Sequence, residues 1–235
     1  MDPDTAIGGL RDRFPSTRHS LFAAVTEAGT LPAEALEQVA AIYWKPVYKY
    51  VRLQWRKDNE AAKDLTQSFF ASALERDFFR QFDPAKASFR TYLRMAVDRF
   101  AANEYAAANR LKRGGAAVPA SLTDDFEPAD GETPETVFQR EWQRQVFALA
   151  IEDLRAYSER AGKQLPFQIF AAYDLAEGER PAYSELAAQY GIAVTAVTNH
   201  LAWARRMLRG CVEARLRGVT AGEQELHREM RSLWS

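Results

Sequence analysis

The sequence predicts an all-α protein in which two small helical domains are joined by a flexible acidic linker. Apolar residues recur with the period of an amphipathic helix along most of the chain, whereas the alternating segments typical of strands are scarce. Apolar residues make up 47% of the 235 residues, which is enough to fill the core of each domain. Residues 113–133 interrupt this pattern with a segment rich in Gly, Pro, Ala and acidic residues, which we interpret as the linker.

The first half is predicted to be a helical bundle over residues 32–112, preceded by an extension over residues 1–31 that holds one short helix. Pro46 lies inside the first periodic segment of the bundle. Because proline lacks a backbone donor, we expect it to kink or restart that helix. Three segments of this half have a helical period: the one that starts at Pro32, residues 59–75 and residues 88–109.

The second half is predicted to hold a helical domain over residues 134–217 and a C-terminal helix within residues 218–235. Thr133 has the side chain of an N-cap, and Pro134 suits the first position of a helix. This helix is expected to end near Gly162, and a shorter helix is expected to follow it.

Residues 182–209 have the pattern of a helix-turn-helix. A short helix containing the small Ala187 is followed, four residues later, by Gly191, where the motif needs a left-handed turn. Ile192 and Val194 are expected to fill the corner between the two helices. An ordinary helical hairpin is the alternative interpretation of this segment.

The second helix of this motif has one face for packing and another for binding. At about 100° per residue, Val197, Leu201 and Ala204 share the packing face, and His200 lies near it. In a docked recognition helix the first residues contact base edges and later arginines contact phosphate. Alternatively, the arginines only keep a helix face in solvent. The candidate DNA contacts are Thr195, Thr198, Asn199, Ala202, Arg206 and Arg209.

Charge is distributed in blocks, although the net charge of the chain is only −1. Residues 90–113 carry +4, residues 195–217 carry +4, and residues 114–135 between them carry −6. Basic blocks of this kind often mark surfaces that bind polyanions, although solvated helix faces are the commoner cause.

Several classes of protein are not expected. No apolar run approaches the ~18 residues of a spanning helix, and the first residues lack the charged and apolar regions of a secretory signal. The single Cys211 suggests a reducing compartment, so we expect a cytoplasmic protein with this thiol buried. No zinc-type spacing, nucleophile–base pair or phosphate-binding loop is present, so we expect neither a metal nor a cofactor nor an enzyme.

Taken in order, five stretches of the chain resemble the sigma-70 family of RNA polymerase sigma factors, of the extracytoplasmic-function type. The resemblance covers about residues 33–211 and implies that residues 32–112 are region 2, which binds core polymerase and the −10 element. Residues 134–217 then match region 4, which binds the −35 element. FPSTRHSL and TPETVFQREW further resemble one branch of the family. The five stretches are YWKPVYKYVR, DLTQSFFASALER, FDPAKASFRTYLRMAVDRFAANEY, FQIFAAYDL and YSELAAQYGIAVTAVTNHLAWARRMLR.

The resemblance also implies roles for residues of the first half. The helix with DLTQSFF matches the core-polymerase-binding helix, which assigns polymerase contacts to Asp64, Gln67 and Ser68. Residues 82–87 match a loop that captures a base flipped from the −10 element, and the helix after it matches the one that lines the melted strand. For Phe82, capping of the core is an equal alternative. The implied −10 contacts are Phe82, Lys86, Arg90, Arg94, Asp98 and Tyr105.

The core-binding helix departs from the family pattern, because Ala61, Lys63 and Ser68 stand where acids are common. Our hypothesis is that phosphorylation of Thr66 supplies the missing charge, since a phosphate adds about −1.5 to −2. If Thr66 faces the core, Ser68 is the second candidate.

The expected partners are core RNA polymerase and promoter DNA, together with a Ser/Thr protein kinase if the helix is phosphorylated. An anti-sigma factor is a further candidate, and the sequence does not say whether one exists. The alternative function is a stand-alone helix-turn-helix regulator that dimerises through its first domain. Such a regulator has no need of an exposed DLTQSFF helix.

Overall fold

The computed structural model describes residues 33–75, 78–111 and 131–234, and within these ranges all regular structure is helical. This confirms the all-α fold. The predicted N-terminal helix and nearly all of the acidic linker lie outside the described residues. The described residues hold eight α-helices: α1 (Ala33–Gln54), α2 (Asn59–Glu75), α3 (Phe89–Leu111), α4 (Pro134–Arg160), α5 (Gln164–Phe170), α6 (Tyr183–Tyr190), α7 (Val194–Gly218) and α8 (Glu223–Trp234).

Helix α1 continues through Pro46 and does not restart there. One face of it, which includes Ile42, Val47 and Tyr50, is fully buried. Burial of that much apolar surface offsets the hydrogen bond that proline cannot donate.

The start of α4 has the predicted cap. The Thr133 hydroxyl accepts a hydrogen bond from the Thr136 amide at 3.2 Å, and the Thr133 amide donates to the Thr136 hydroxyl at 2.9 Å. This reciprocal pair of hydrogen bonds satisfies two backbone amides at the start of the helix. Pro134 occupies the first helical position. The helix ends at Arg160, shortly before Gly162, whose φ is +66°.

Helix α4 of the second half packs along α1 of the first. The rings of Tyr50 and Phe138 meet edge to face at 5.9 Å, and Trp142 is fully buried. Glu141, also fully buried, forms an ion pair with Lys49 at 2.8 Å. The buried side chains of both halves therefore form one hydrophobic cluster. The division into two domains stays a prediction.

The turn between α6 and α7 has the left-handed glycine that the sequence predicts. Gly191 ends α6 with φ +64° and ψ +37°, and the Ile192 amide donates to the Ala187 carbonyl at 3.0 Å. Val194, expected to fill the corner, is instead 47% exposed. It is the first residue of α7, and because helical side chains lean toward the N-terminus, no turn of its own helix lies there to cover it.

Candidate nucleic-acid and polymerase interface

The face of α7 that the sequence assigns to DNA is exposed, and the opposite face is buried. Val197, Leu201 and Ala204 are at most 1% exposed. His200 is half-buried, and burial together with the charge of Lys163 lowers its pKa. All six candidate DNA contacts are exposed: Thr195, Thr198, Asn199, Ala202, Arg206 and Arg209.

Arg205 and Arg206 are neighbours in sequence but differ in their partners. The Arg205 Nε and Nη2 atoms donate to the two carboxylate oxygens of Asp174 at 2.8 and 2.9 Å, and its guanidinium lies 5.6 Å from the Tyr173 ring centre. Within the described part of the chain, Arg206 forms no ion pair. Arg206 therefore offers the freer positive charge on this helix.

Asp174 comes from the π-helical turn Ala171–Leu175, directly after α5. Sequence reasoning did not assign it a role, because no local pattern shows that a residue 31 positions before Arg205 lies beside it. It restrains Arg205 without touching the exposed face of α7.

Arg209 is exposed but not free. Its guanidinium lies over the ring of Trp234 at 5.2 Å, and the Trp234 ring meets Phe147 edge to face at 5.5 Å. The last described turn of α8 thus lies against the end of the α7 face.

Phe82 is placed as a core residue and not as an open base-capturing side chain. It is 8% exposed, and its ring lies 5.5 Å from Phe89 and 5.3 Å from Tyr92. Phe79 stacks against the same Phe89 ring. The loop therefore folds its aromatics inward, as in the alternative that treats Phe82 as a cap on the core.

Arg90 is engaged within the protein and does not face solvent as a DNA contact would. Its Nη2 atom lies 3.0 Å from Glu229 Oε2, its Nη1 atom donates to Gln139, and its guanidinium lies 4.1 Å from the Trp142 ring centre. Helical periodicity could not reveal this, because all three partners belong to the second half.

Asp98 also faces inward. It accepts hydrogen bonds from the Tyr50 hydroxyl at 2.9 Å and from the Trp55 indole at 3.2 Å. Burial raises the pKa of Tyr50 far above its usual value, and Asp98 adds to this effect. Its role in the structure is to hold α3 against α1, in place of the predicted nucleic-acid contact.

The remaining residues of the −10 set lie nearer to solvent. Lys86 is exposed and pairs with Asp83 at 3.2 Å, and Arg94 is half-buried. Tyr105 is 58% exposed. On the same helix, Met95 and Arg99 are also exposed, and Met95 is a surface residue that the sequence analysis did not single out. An exposed aromatic side chain suits stacking of unpaired bases.

Helix α2 presents the predicted polymerase contacts Asp64, Gln67 and Ser68 to solvent. Thr66, in contrast, is fully buried, and its hydroxyl donates to the Ala62 carbonyl at 2.7 Å. A kinase cannot reach this hydroxyl while the helix is folded. Ser68 is the accessible hydroxyl, as expected if Thr66 faces the core.

Among the described residues, no group of His, Cys, Asp and Glu side chains could hold a metal ion, and no helix is long and apolar enough to cross a membrane. Burial raises the pKa of the Cys211 thiol to about 12. No protein-family model matches the chain, and no curated protein or solved structure matches it either. The family assignment therefore stays a prediction from the sequence motifs.

Proposed function

We propose that this chain is a sigma factor of the extracytoplasmic-function type, which binds core RNA polymerase and directs promoter-specific transcription initiation. The observation that carries the proposal is the exposed face of α7, which follows a short helix and the left-handed Gly191, as in a helix-turn-helix. The order of the five sigma-like stretches supports the choice of family. On this proposal the protein works in the cytoplasm, without a cofactor.

The role of α7 is to read the −35 element from the major groove. The Asn199 amide can donate to and accept from one adenine edge, and Arg206 lies two turns further along, where it can contact phosphate. Arg205 has a different role, because Asp174 already neutralises its charge.

The role of α3 is to hold the melted −10 strand. Tyr105 offers an exposed ring on which a base can stack, and Arg99 and Met95 are further exposed side chains of the same helix. As the chain is folded here, Phe82 and Asp98 support this surface from inside the core.

The role of α2 is to bind the polymerase. Asp64 is an exposed acid at the start of the DLTQSFF motif, with Gln67 and Ser68 on the exposed side of the next turn. Phosphorylation of Ser68 by a Ser/Thr kinase would add negative charge where the family commonly has an acid. Its position makes Ser68 the modification site of this proposal, in place of the buried Thr66.

The exposed face of α7 also suits a second function, that of a stand-alone DNA-binding regulator, which would not use the exposed residues of α2. Affinity for purified core polymerase separates the two functions. We expect the full chain to bind, and Asp64→Ala to bind about tenfold more weakly, since a hydrogen bond to a charged group contributes about 1.5–3 kcal/mol. Glu152→Ala, which removes an exposed acid from α4, is the matched control. Absence of binding by the wild type would favour the regulator.

A further inference from the structure

Helix α8 contacts an arginine from each of the two surfaces assigned to DNA. Glu229 Oε2 lies 3.0 Å from Arg90 Nη2, and the Trp234 ring lies 5.2 Å from the guanidinium of Arg209. Arg90 belongs to the −10 set and Arg209 to the −35 set. One short helix therefore contacts an arginine of each set, while Gln139 and Trp142 of α4 also hold Arg90.

A third contact joins α8 to the first turn of α3. The Phe89 amide donates to Glu225 Oε1 at 2.5 Å, although the two residues are 136 positions apart. Phe89 begins α3, so its amide has no acceptor within that helix, and a carboxylate is favoured there by the helix dipole. Glu225 thus caps a helix that belongs to the other half of the chain.

Buried carboxylates hold α8 together with the apolar side chains Leu226, Met230 and Leu233. Its fully buried side chains are Glu225, Leu226 and Glu229, so two of the three are carboxylates. Burial raises the pKa of Glu229, although the charge of Arg90 acts in the opposite direction. Because buried charges lose their hydration, the two carboxylates stabilise this attachment less than well-packed apolar side chains of the same size would.

We propose that α8 is an autoinhibitory helix, which in the closed state holds Arg90 and Arg209 away from nucleic acid and lifts off when the chain binds DNA. The inference rests on the proposed function, and it takes Arg90 and Arg209 as the DNA contacts expected from the sequence. The closed state itself is defined by three contacts, which we call the α8 clasp: Glu225 with Phe89, Glu229 with Arg90, and Trp234 with Arg209.

Hydrogen exchange of the Phe89 amide measures the clasp in the full chain without DNA or polymerase. Glu229→Lys places a positive charge beside Arg90 and should speed exchange of this amide about tenfold or more, because a local opening exposes it. Exchange of the Leu93 amide, inside the same helix, should not change, which shows that α3 remains folded.

The control is Glu223→Lys, which makes the same charge change on α8 at an exposed residue that pairs with Arg217 inside the second half. It should leave Phe89 exchange as in the wild type. The double variant Arg90→Glu with Glu229→Lys restores an opposite-charge pair and should recover part of the Phe89 protection. Unchanged Phe89 exchange in Glu229→Lys would overturn the clasp.

Binding to a short DNA duplex of mixed sequence tests autoinhibition. Glu229→Lys should bind about tenfold more tightly than Glu223→Lys, as expected if one charge-assisted contact becomes available. Equal affinities of these two variants, with Phe89 exchange raised in the first, would overturn the inhibitory role. Neither assay contains polymerase. If both succeed and the chain still does not bind core polymerase, the sigma-factor proposal fails while the clasp stands.

Discussion

Arg206 and Arg205 differ in the partners of their guanidinium groups, and this leads to opposite expectations for two similar substitutions. Arg206→Ala should weaken binding to most DNA sequences alike. It should also reduce the steepness of the plot of log binding constant against log salt concentration by about one unit, because one phosphate contact is lost. Arg205→Ala should leave DNA affinity nearly unchanged, because Asp174 holds that guanidinium. Salt titrations of binding to a duplex measure both. A larger loss for Arg205→Ala than for Arg206→Ala would contradict the assigned face of α7.

Asn199 lies on the same face and is expected to affect sequence preference. Asn199→Ala should change the preferred base at one −35 position, because a good base-edge contact discriminates by about 1–3 kcal/mol. Selection from a randomised −35 library measures the change. A uniform loss for all sequences, like that of Arg206→Ala, would show that Asn199 does not contact a base.

Phe82 is expected to act through stability. Phe82→Ala should lower the free energy of unfolding by about 3 kcal/mol, because it removes a buried ring between Phe89 and Tyr92. Tyr105→Ala, at an exposed ring on α3, should change stability by less than about 0.5 kcal/mol. Urea unfolding measures both. An unchanged stability of Phe82→Ala together with loss of promoter opening would instead support the base-capturing role.

Ser68 and Thr66 are expected to respond differently to the same charge. Ser68→Glu should raise affinity for core polymerase, since it adds an exposed acid to α2. Thr66→Glu should destabilise the protein, because it buries a carboxylate where a hydroxyl bonds to the Ala62 carbonyl. Polymerase titration and thermal unfolding separate the effects. Tighter polymerase binding by a stable Thr66→Glu protein would restore Thr66 as the site.

At the scale of single helices, α4 offers a pH-dependent contact with α1. Burial would raise the pKa of Glu141, but the hydrogen bond from Lys49 and the charges of Arg144 and Lys45 together lower it. The stability that Glu141 contributes is therefore complete above its unfolded pKa near 4.5 and is lost as the pH falls through the lowered folded value.

Glu141→Gln should therefore lower the free energy of unfolding by about 2 kcal/mol at neutral pH. This is less than the usual cost of breaking a fully buried ion pair, because Arg144 and Lys45 are exposed. The difference from wild type should shrink below about pH 4.5. Glu152→Gln, an exposed acid on the same helix, is the control. A difference that stays constant down to pH 3 would rule out the ion pairs as the source.

The sequence predicts helix ends well where a few neighbouring residues determine them. The Thr133 cap, the left-handed Gly191 and the bounds of α2 depend on a few neighbouring residues, so the pattern alone determines them. The inward positions of Arg90 and Asp98 on α3 were missed. Their partners come from α8, α4 and α1, and periodicity within one helix does not show which of its sides another element covers.

At the scale of the whole molecule, the two halves are in contact through α1 and α4. The composition of residues 113–133 predicts a linker, but a linker does not determine whether the domains beside it touch. The contact depends on the match of Tyr50 with Phe138 and of Lys49 with Glu141. Such matches are specific to side-chain geometry and leave no periodic signal in the sequence.

The central claim is that this chain gives core RNA polymerase its promoter specificity, and transcription in vitro tests it most directly. Purified core polymerase, the full chain and a library of templates randomised at the −35 and −10 elements are combined, and the transcripts are sequenced. We predict transcripts that need the chain, start at a fixed distance from an enriched pair of elements, and lose −35 preference with Asn199→Ala. No enriched pair above the level of core polymerase alone, with the chain phosphorylated or carrying Ser68→Glu, would contradict the claim.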